Sequence, residues 1–425
     1  MKKLLAIIVL CLSLCMMIGC TKKSSDTEIT LWTYPIGGWG KAETVDKLIS
    51  DFEAANPGIK VTVEYLDYTN GDDQVNTAIE GNEAPDLIME GPERLVANWG
   101  AKGKMVDLSD LLDATDKAEI NKSVLSACTT SDGKVYEYAV CMTAHCMAVN
   151  YTRVKEAGAE QYVNKETHTW TTEQFFNTVK ALYDKGYTDV ASLYCSGQGG
   201  DQGTRAIVNN LYGGKFTNAE HTAYTANSAE NVRALTELKA TNGIKFDAAI
   251  NGGEEIKLFR QGLLSMAFCW NIAQQLNTDN APAGKTNNGD EIVFMAFPSN
   301  TTAELCGGIW GFGAFDNGDA KKIEASKKFI KYFCDGAGTK AAVEASTYFA
   351  VRDTAEGIDL TKIYEGNEIM SEYTKLMPLL GDYYQVTTNW ANARTAWWNM
   401  LQEVGKGDDI QTAVNKFCDT ANGKK

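Results

Sequence analysis

Hydrophobic residues recur along this chain at two spacings, every second residue and every third to fourth, and the switches between them outline alternating strands and helices. In 28–40, EITLWTYPIGGWG, Ile29 and Leu31 alternate with Thr30, which predicts a strand. Tyr34-Pro35 breaks the run, and Gly37-Gly38-Trp39-Gly40 is a loop leading into a helix. Over 41–56, Val45, Leu48, Ile49 and Phe52 share one helical face, and Asn56-Pro57-Gly58 ends it. Ile59, Val61, Val63 and Tyr65 alternate as a second strand. A helix around 73–80 and a short apolar strand over 87–89 follow, ending in Glu90-Gly91-Pro92. A β-loop-α-β opening of this kind starts a βαβ sheet.

The later pattern is similar. Strands are predicted over 133–140 and 146–150, joined by 141–145. Thr171 and Gln174 form a capping box ahead of the stripe Phe175, Val179 and Leu182, and Gly186 ends that helix. Ser228 caps a helix carrying Val232, Leu235 and Leu238 up to Asn242-Gly243. A helix over 254–262, strands over 264–270 and 291–297, and a helix over 319–334 with Ile323, Ile330 and Phe333 inward come next. Trp390, Arg394, Trp397 and Leu401 share one helix face. Asp408 with Gln411 caps a last helix holding Ile410, Val414 and Phe417. At 425 residues with 44% hydrophobic content the chain has material for two lobes with real cores.

The first residues read differently. Lys2-Lys3 is a basic start, residues 4–18 are apolar except Ser13, and the run is short for a membrane span. It ends in Met17-Ile18-Gly19-Cys20, which resembles a bacterial lipobox. That implies a signal peptide over 1–19, a diacylated Cys20 and a polar tether over 20–27, giving a stable membrane anchor. The net charge of −15 argues against a nucleic-acid partner, since phosphate binding needs a basic face.

Catalytic and metal motifs are missing from the sequence. The chain has only 3 His, no CxxC, no zinc spacing, no Walker A, no HExxH and no GxSxG. The stretch 197–200 is Gly-rich but lacks the Lys and the strand–turn–helix setting of a phosphate loop. Most thiols sit in apolar runs and read as small buried hydrophobes. No metal or cofactor is expected.

Trp32, Tyr34 and Trp39 stand at and just beyond a strand's carboxyl end, where open α/β sheets bind ligands. Glu90 ends another strand. Flat aromatics suit the C–H faces of a sugar, and carboxylates, amides and guanidinium groups suit its hydroxyl rim. On that chemistry Trp32, Tyr34, Trp39, Trp270 and Trp310 are stacking candidates, and Glu90, Asn271 and Arg352 are candidates for hydroxyl contacts. His145 and Trp390 complete the set.

The lipobox, the tether, "ITLWTY", "FEAANPGIKV" and "APDLIME" together resemble the extracellular solute-binding proteins of bacterial ABC importers, carbohydrate branch, of the maltose-binding-protein kind. Further on, Val149-Asn150-Tyr151, Thr169-Trp170-Thr171, Gly262 to Trp270, Cys306 to Gly311 with its double glycine at Gly307-Gly308, and Tyr348 to Arg352 resemble that family's motifs in order. The resemblance implies an α/β, two-lobed periplasmic-binding-protein fold (type II-like) with the ligand cleft between hinge-connected lobes. The expected lobes are 28–143 plus 302–346 and 144–301 plus 347–425. It places Trp270 at the cleft and Gly308 where backbone approaches ligand, and it implies hinge closure over a sugar, for which the many aromatics favour a di- or oligosaccharide. It further implies docking of a monomer on the permease subunits outside the cytoplasmic membrane. Trp39 and Trp270 are expected to sandwich the sugar. Two alternatives stay open: a non-sugar solute such as a polyamine, caged by Tyr34, Trp39 and Glu90, and a secreted glycan-acting enzyme.

Overall fold

The computed structural model describes residues 26–68, 70–196 and 201–424. The expected signal peptide, Cys20, most of the tether and the Gly-rich 197–200 lie outside the described residues. Among the described residues, eleven strands build the main sheets, β1 (Thr27–Thr33), β2 (Ile59–Tyr65), β3 (Leu87–Glu90), β4 (Tyr138–Ala144), β5 (Cys146–Asn150), β6 (Ala191–Tyr194), β7 (Ile244–Asp247), β8 (Met266–Trp270), β9 (Ile292–Met295), β10 (Gly307–Ala314) and β11 (Phe349–Ala350), and two more, Thr354–Ala355 and Ile358–Asp359, pair as a short hairpin.

The first lobe holds a six-stranded sheet in the order β11-β4-β10-β3-β1-β2. β1 runs parallel to β2 and β3, as the opening pattern requires, while β10 runs antiparallel to β3 and β4. The helix Ala42–Ala55 buries Val45, Leu48, Ile49 and Phe52, the stripe read from its spacing. Phe52 meets Phe329 edge-on at 5.0 Å, which ties it to the helix Ala320–Cys334. The second lobe holds β8-β5-β9 and the parallel pair β6-β7. Ser265 and Met266 both donate to the Val190 carbonyl, at 2.9 and 2.8 Å, which joins the two sheets edge to edge.

Chain crossings set the hinge. β4 lies in the first sheet and β5 in the second, with only His145 between them. Residues 296–306 return the chain from β9 to β10. β11 pairs with β4, so this strand of the segment expected in the second lobe sits on the edge of the first sheet. The helix Trp390–Lys406 packs on the second lobe, where Trp397 Nε1 donates to Thr204 Oγ1 at 3.0 Å.

Three local expectations shift. The strand placed at 133–140 runs over Tyr138–Ala144, because Cys141 and Thr143 pair with Trp310 and Gly308 of a strand distant in sequence. In Ala320–Cys334, Ile323 is half-buried and Phe329 fills the core instead. The last helix is capped by Asp409 rather than Asp408, its carboxylate accepting from the Thr412 N–H at 2.8 Å.

The Thr171–Gln174 box forms as read, with the Gln174 N–H on Thr171 Oγ1 at 3.1 Å and the Thr171 N–H on Gln174 Oε1 at 2.8 Å. Thr171→Ala is expected to cost about 1 kcal/mol of stability. An unchanged urea midpoint would show that the cap contributes nothing.

Candidate ligand-binding cleft

A cavity of about 310 Å³ opens between the lobes. The first lobe contributes Pro35, Ile36 and Tyr68 from the loops after β1 and β2, and Glu90, Glu93 and Arg94 from the end of β3 and the turn beyond. The crossings and the strands beside them supply His145, Gly307, Gly308, Trp310 and Tyr348. The second lobe supplies Asp201, Gln202, Cys269, Trp270, Asn271, Gln274, Tyr383, Gln385, Trp390 and Arg394. Of the residues named from sequence, Glu90, His145, Trp270, Asn271, Gly308, Trp310 and Trp390 therefore meet in one place.

The floor is aromatic. Trp310 is half-buried and stacks on Tyr348 with centroids 4.6 Å apart and planes 17° from parallel. A Cβ on Gly308 would collide with the Trp310 ring, so glycine is what lets the indole lie flat along its own strand. Trp270 lines the opposite wall but is only 1% exposed; its Nε1 donates to Gln275 Oε1 at 2.9 Å and its ring meets Phe259 edge-on. The Asn271 side-chain oxygen accepts from the Ala273 N–H at 2.8 Å, capping the helix Ile272–Leu276 and leaving its amide N–H groups for a ligand.

Charges in the walls are answered from within the protein. The buried Arg94 guanidinium reaches Asp72 at 2.6 Å, Glu90 at 2.8 Å and Glu93 at 3.5 Å. Burial nevertheless pushes the Glu90 carboxyl up to about 8, against the pull of Arg94. Across the cleft, Asp201 binds Arg205 at 3.0 Å and Arg394 at 3.2 Å. Arg205 lies 4.3 Å from the centre of the Trp390 ring, covering one of its faces. His145 is held neutral, since burial and then Arg205 lower it to about 4. Walls of this kind suit an uncharged, hydroxyl-bearing molecule with a flat apolar face.

Four expected site residues do not line this cavity. Trp32 lies on the half-buried face of β1, packed against the core. Tyr34 is fully buried; its hydroxyl donates to Asp72 at 2.6 Å and its ring stacks on Tyr68 at 5.1 Å. Trp39 is also fully buried, wedged edge-on against Phe312 and Phe333, with Nε1 donating to the Ala342 carbonyl at 3.1 Å. Its flanking glycines, read as a sign of an open loop, have the opposite role. A Cβ on Gly37 would collide with the Ser346 carbonyl, and one on Gly38 would come within 2.7 Å of the Ala345 carbonyl, so the loop docks tightly on the helix Thr339–Ser346. Arg352 binds Asp116 at 2.9 Å and Asp335 within the first lobe, which uses its fork in a buried ion-pair cluster. The Trp39–Trp270 sandwich and the Tyr34–Trp39 amine cage are thereby removed.

Sequence reasoning missed Tyr68, Arg94, Asp201, Tyr383 and Arg394 as cleft residues. Tyr68 stands just past β2, so the strand-end rule applied to Trp32 would have found it. Tyr383 lies in an irregular stretch, where periodicity offers no signal.

Residues 38–334 match the bacterial extracellular solute-binding protein family. An uncharacterized lipoprotein from the oleD 5′ region of Streptomyces antibioticus is 27% identical over 145 residues, and the match spans 34% of this chain and 31% of that relative's length. The fold is similar to that of the GacH receptor of Streptomyces glaucescens, solved unliganded and with acarbose, at a TM-score of 0.71 and 15% identity, covering 92% of this chain and 97% of that one. It is also similar to the ABC substrate-binding protein Lmo0181 of Listeria monocytogenes in complex with cycloalternan (0.71, 20%, covering 94% and 100%). Maltose-bound MalE3 of T. maritima is a third (0.72, 14%, covering 93% and 99%). These likenesses establish the two-lobed α/β fold expected from the motifs. With the family match covering more than half its length, the chain belongs to the bacterial extracellular solute-binding proteins.

Proposed function

We propose that the protein captures a carbohydrate in this cleft and delivers it to the membrane subunits of an ABC importer. The observation that carries this reading is the Trp310–Tyr348 platform, set in a 310 Å³ cavity among amide, carboxyl and guanidinium groups. A sugar's C–H face packs on the indole while its hydroxyls exchange hydrogen bonds with Asn271, Gln274 and the rim of Arg394. Proteins of the same fold hold acarbose, cycloalternan and maltose, which supports the sugar class. Lobes 28–143 plus 302–346 and 144–301 plus 347–425 rotate about the crossings to bury the ligand, the β11 edge staying with the first sheet. The protein acts as a monomer, held at the outer face of the cytoplasmic membrane by lipid on Cys20. No bond in the ligand is made or broken.

A thermal-shift screen of the chain against maltose and longer glucans, with polyamines and amino acids as controls, tests this. A ligand at a hundred times its Kd adds about 2.7 kcal/mol to the folded state. A shift with one glycan class, with the glycan recovered intact, is the expected result. A shift with amines alone would overturn the sugar assignment, and cleaved glycan would overturn the binding-only reading.

A further inference from the structure

We infer that closure of the cleft is proton-linked, through the carboxyl cluster of Glu90, Glu93 and Glu137 and the Tyr383 hydroxyl that bridges to it from the other lobe. This rests on the solute-capture reading above.

Tyr383 donates to Glu93 Oε2 at 2.8 Å. The residues after Tyr383 belong to the second lobe: the Tyr384 ring lies 5.2 Å from Phe216, and Gln385 accepts from Arg205 at 3.4 Å. Glu93 stands in the first lobe, so this hydrogen bond spans the cleft.

Behind Glu93 the carboxyl groups outnumber the cations. Glu137, just ahead of β4, is 1% exposed, and neither of its oxygens has a hydrogen-bond partner among the described residues. The charges acting on it are those of Glu93 and Glu90. The Cys128, Cys141 and Cys334 thiols and the Tyr383 hydroxyl also feel it, and none of these is a cation. Glu90 gives one oxygen to Arg94, and its other oxygen has no hydrogen-bond partner among the described residues. Arg94 must also serve Asp72 and Glu93, while Arg394 acts on Asp72 from the second lobe. The Tyr34 and Tyr68 hydroxyls beside Glu90 add no positive charge.

A carboxyl buried without a partner keeps its proton, because the charged form loses its hydration and gains nothing in return. Burial pushes Glu137 well above the carboxylate range. Closing dehydrates the cluster, with the Tyr383–Glu93 hydrogen bond drawn across the cleft beside it. The lost hydration tightens proton binding at Glu90 and Glu137. The closed form therefore holds more protons than the open one. By linkage, closure weakens as pH rises toward and through the Glu90 value of about 8.

The test uses the full chain with maltose as probe, at about pH 6 and about pH 9. Each variant is first shown by circular dichroism to fold at neutral pH. A one-unit difference in proton affinity between open and closed forms changes binding about tenfold. Wild-type maltose affinity is expected to fall by about that factor between the two pH values. Small-angle scattering of the unliganded chain is expected to show a larger radius of gyration at the higher pH. Glu90→Gln, which is nearly isosteric and cannot titrate, and Tyr383→Phe, which removes the bridge, are each expected to reduce the pH effect to less than about threefold. A wild type whose affinity and radius of gyration do not change with pH overturns the proposal. So do both variants folding normally and keeping the full wild-type pH effect. If maltose fails to bind at either pH while the radius of gyration still rises in the wild type and not in the variants, the ligand assignment fails and the proton linkage stands.

Discussion

Trp39→Ala is expected to lower the unfolding free energy by about 3–5 kcal/mol and to leave solute affinity unchanged. The indole is fully buried, with edge contacts to Phe312 at 5.1 Å and Phe333 at 5.5 Å, and its N–H is satisfied by Ala342. Truncation leaves a cavity that its neighbours cannot close, because the Gly37–Gly40 turn is held against the helix Thr339–Ser346 by carbonyls at contact distance. Urea unfolding with an unchanged m-value would report the loss as stability alone. A loss below about 1 kcal/mol, or a parallel drop in glucan affinity, would put Trp39 back in the cleft.

Trp310→Ala should have the converse signature. It removes the half-buried platform and is expected to weaken sugar binding by about 2 kcal/mol, roughly thirtyfold. Stability falls mainly by the lost stacking on Tyr348, about 0.5–1.5 kcal/mol. Titration calorimetry with the glycan found in the thermal screen measures the first effect, and urea unfolding the second. Undiminished affinity would remove Trp310 from the site. Trp270→Ala is the poorer test, because that ring is nearly inaccessible and bonded to Gln275, so its loss disturbs wall and core together.

Much of this was legible along the chain. The stripe in Ala42–Ala55, the alternation in β2 and the Thr171 box all depend on neighbours within a turn or a strand, and each formed as read. The two-lobed fold followed from the order of motifs. Glu90, Trp270 and Asn271 could be placed in the cleft because strand ends converge there in open α/β sheets. Residues whose partners are remote in sequence were not readable in this way. The partners of Arg352, Asp116 and Asp335, lie far apart in the chain, and Tyr383 bonds to Glu93 across 290 residues of sequence.

Trp39 and Trp310 make the division plain. Both are tryptophans set among glycines, and local sequence treats them alike. Period and punctuation determined that each sits in or beside extended chain in the first lobe, near a glycine that permits close approach. Only the tertiary structure decided which approach that is. At Gly37 and Gly38 the space is taken by the backbone of another helix, which seals the loop and drives the Trp39 ring inward. At Gly308 it is taken by the Trp310 ring itself, which lies flat and keeps a surface toward the cleft. A missing Cβ marks that something comes close; at Gly37 and Gly38 what comes close is set by packing between segments some three hundred residues apart, as the bond from Trp39 to Ala342 shows.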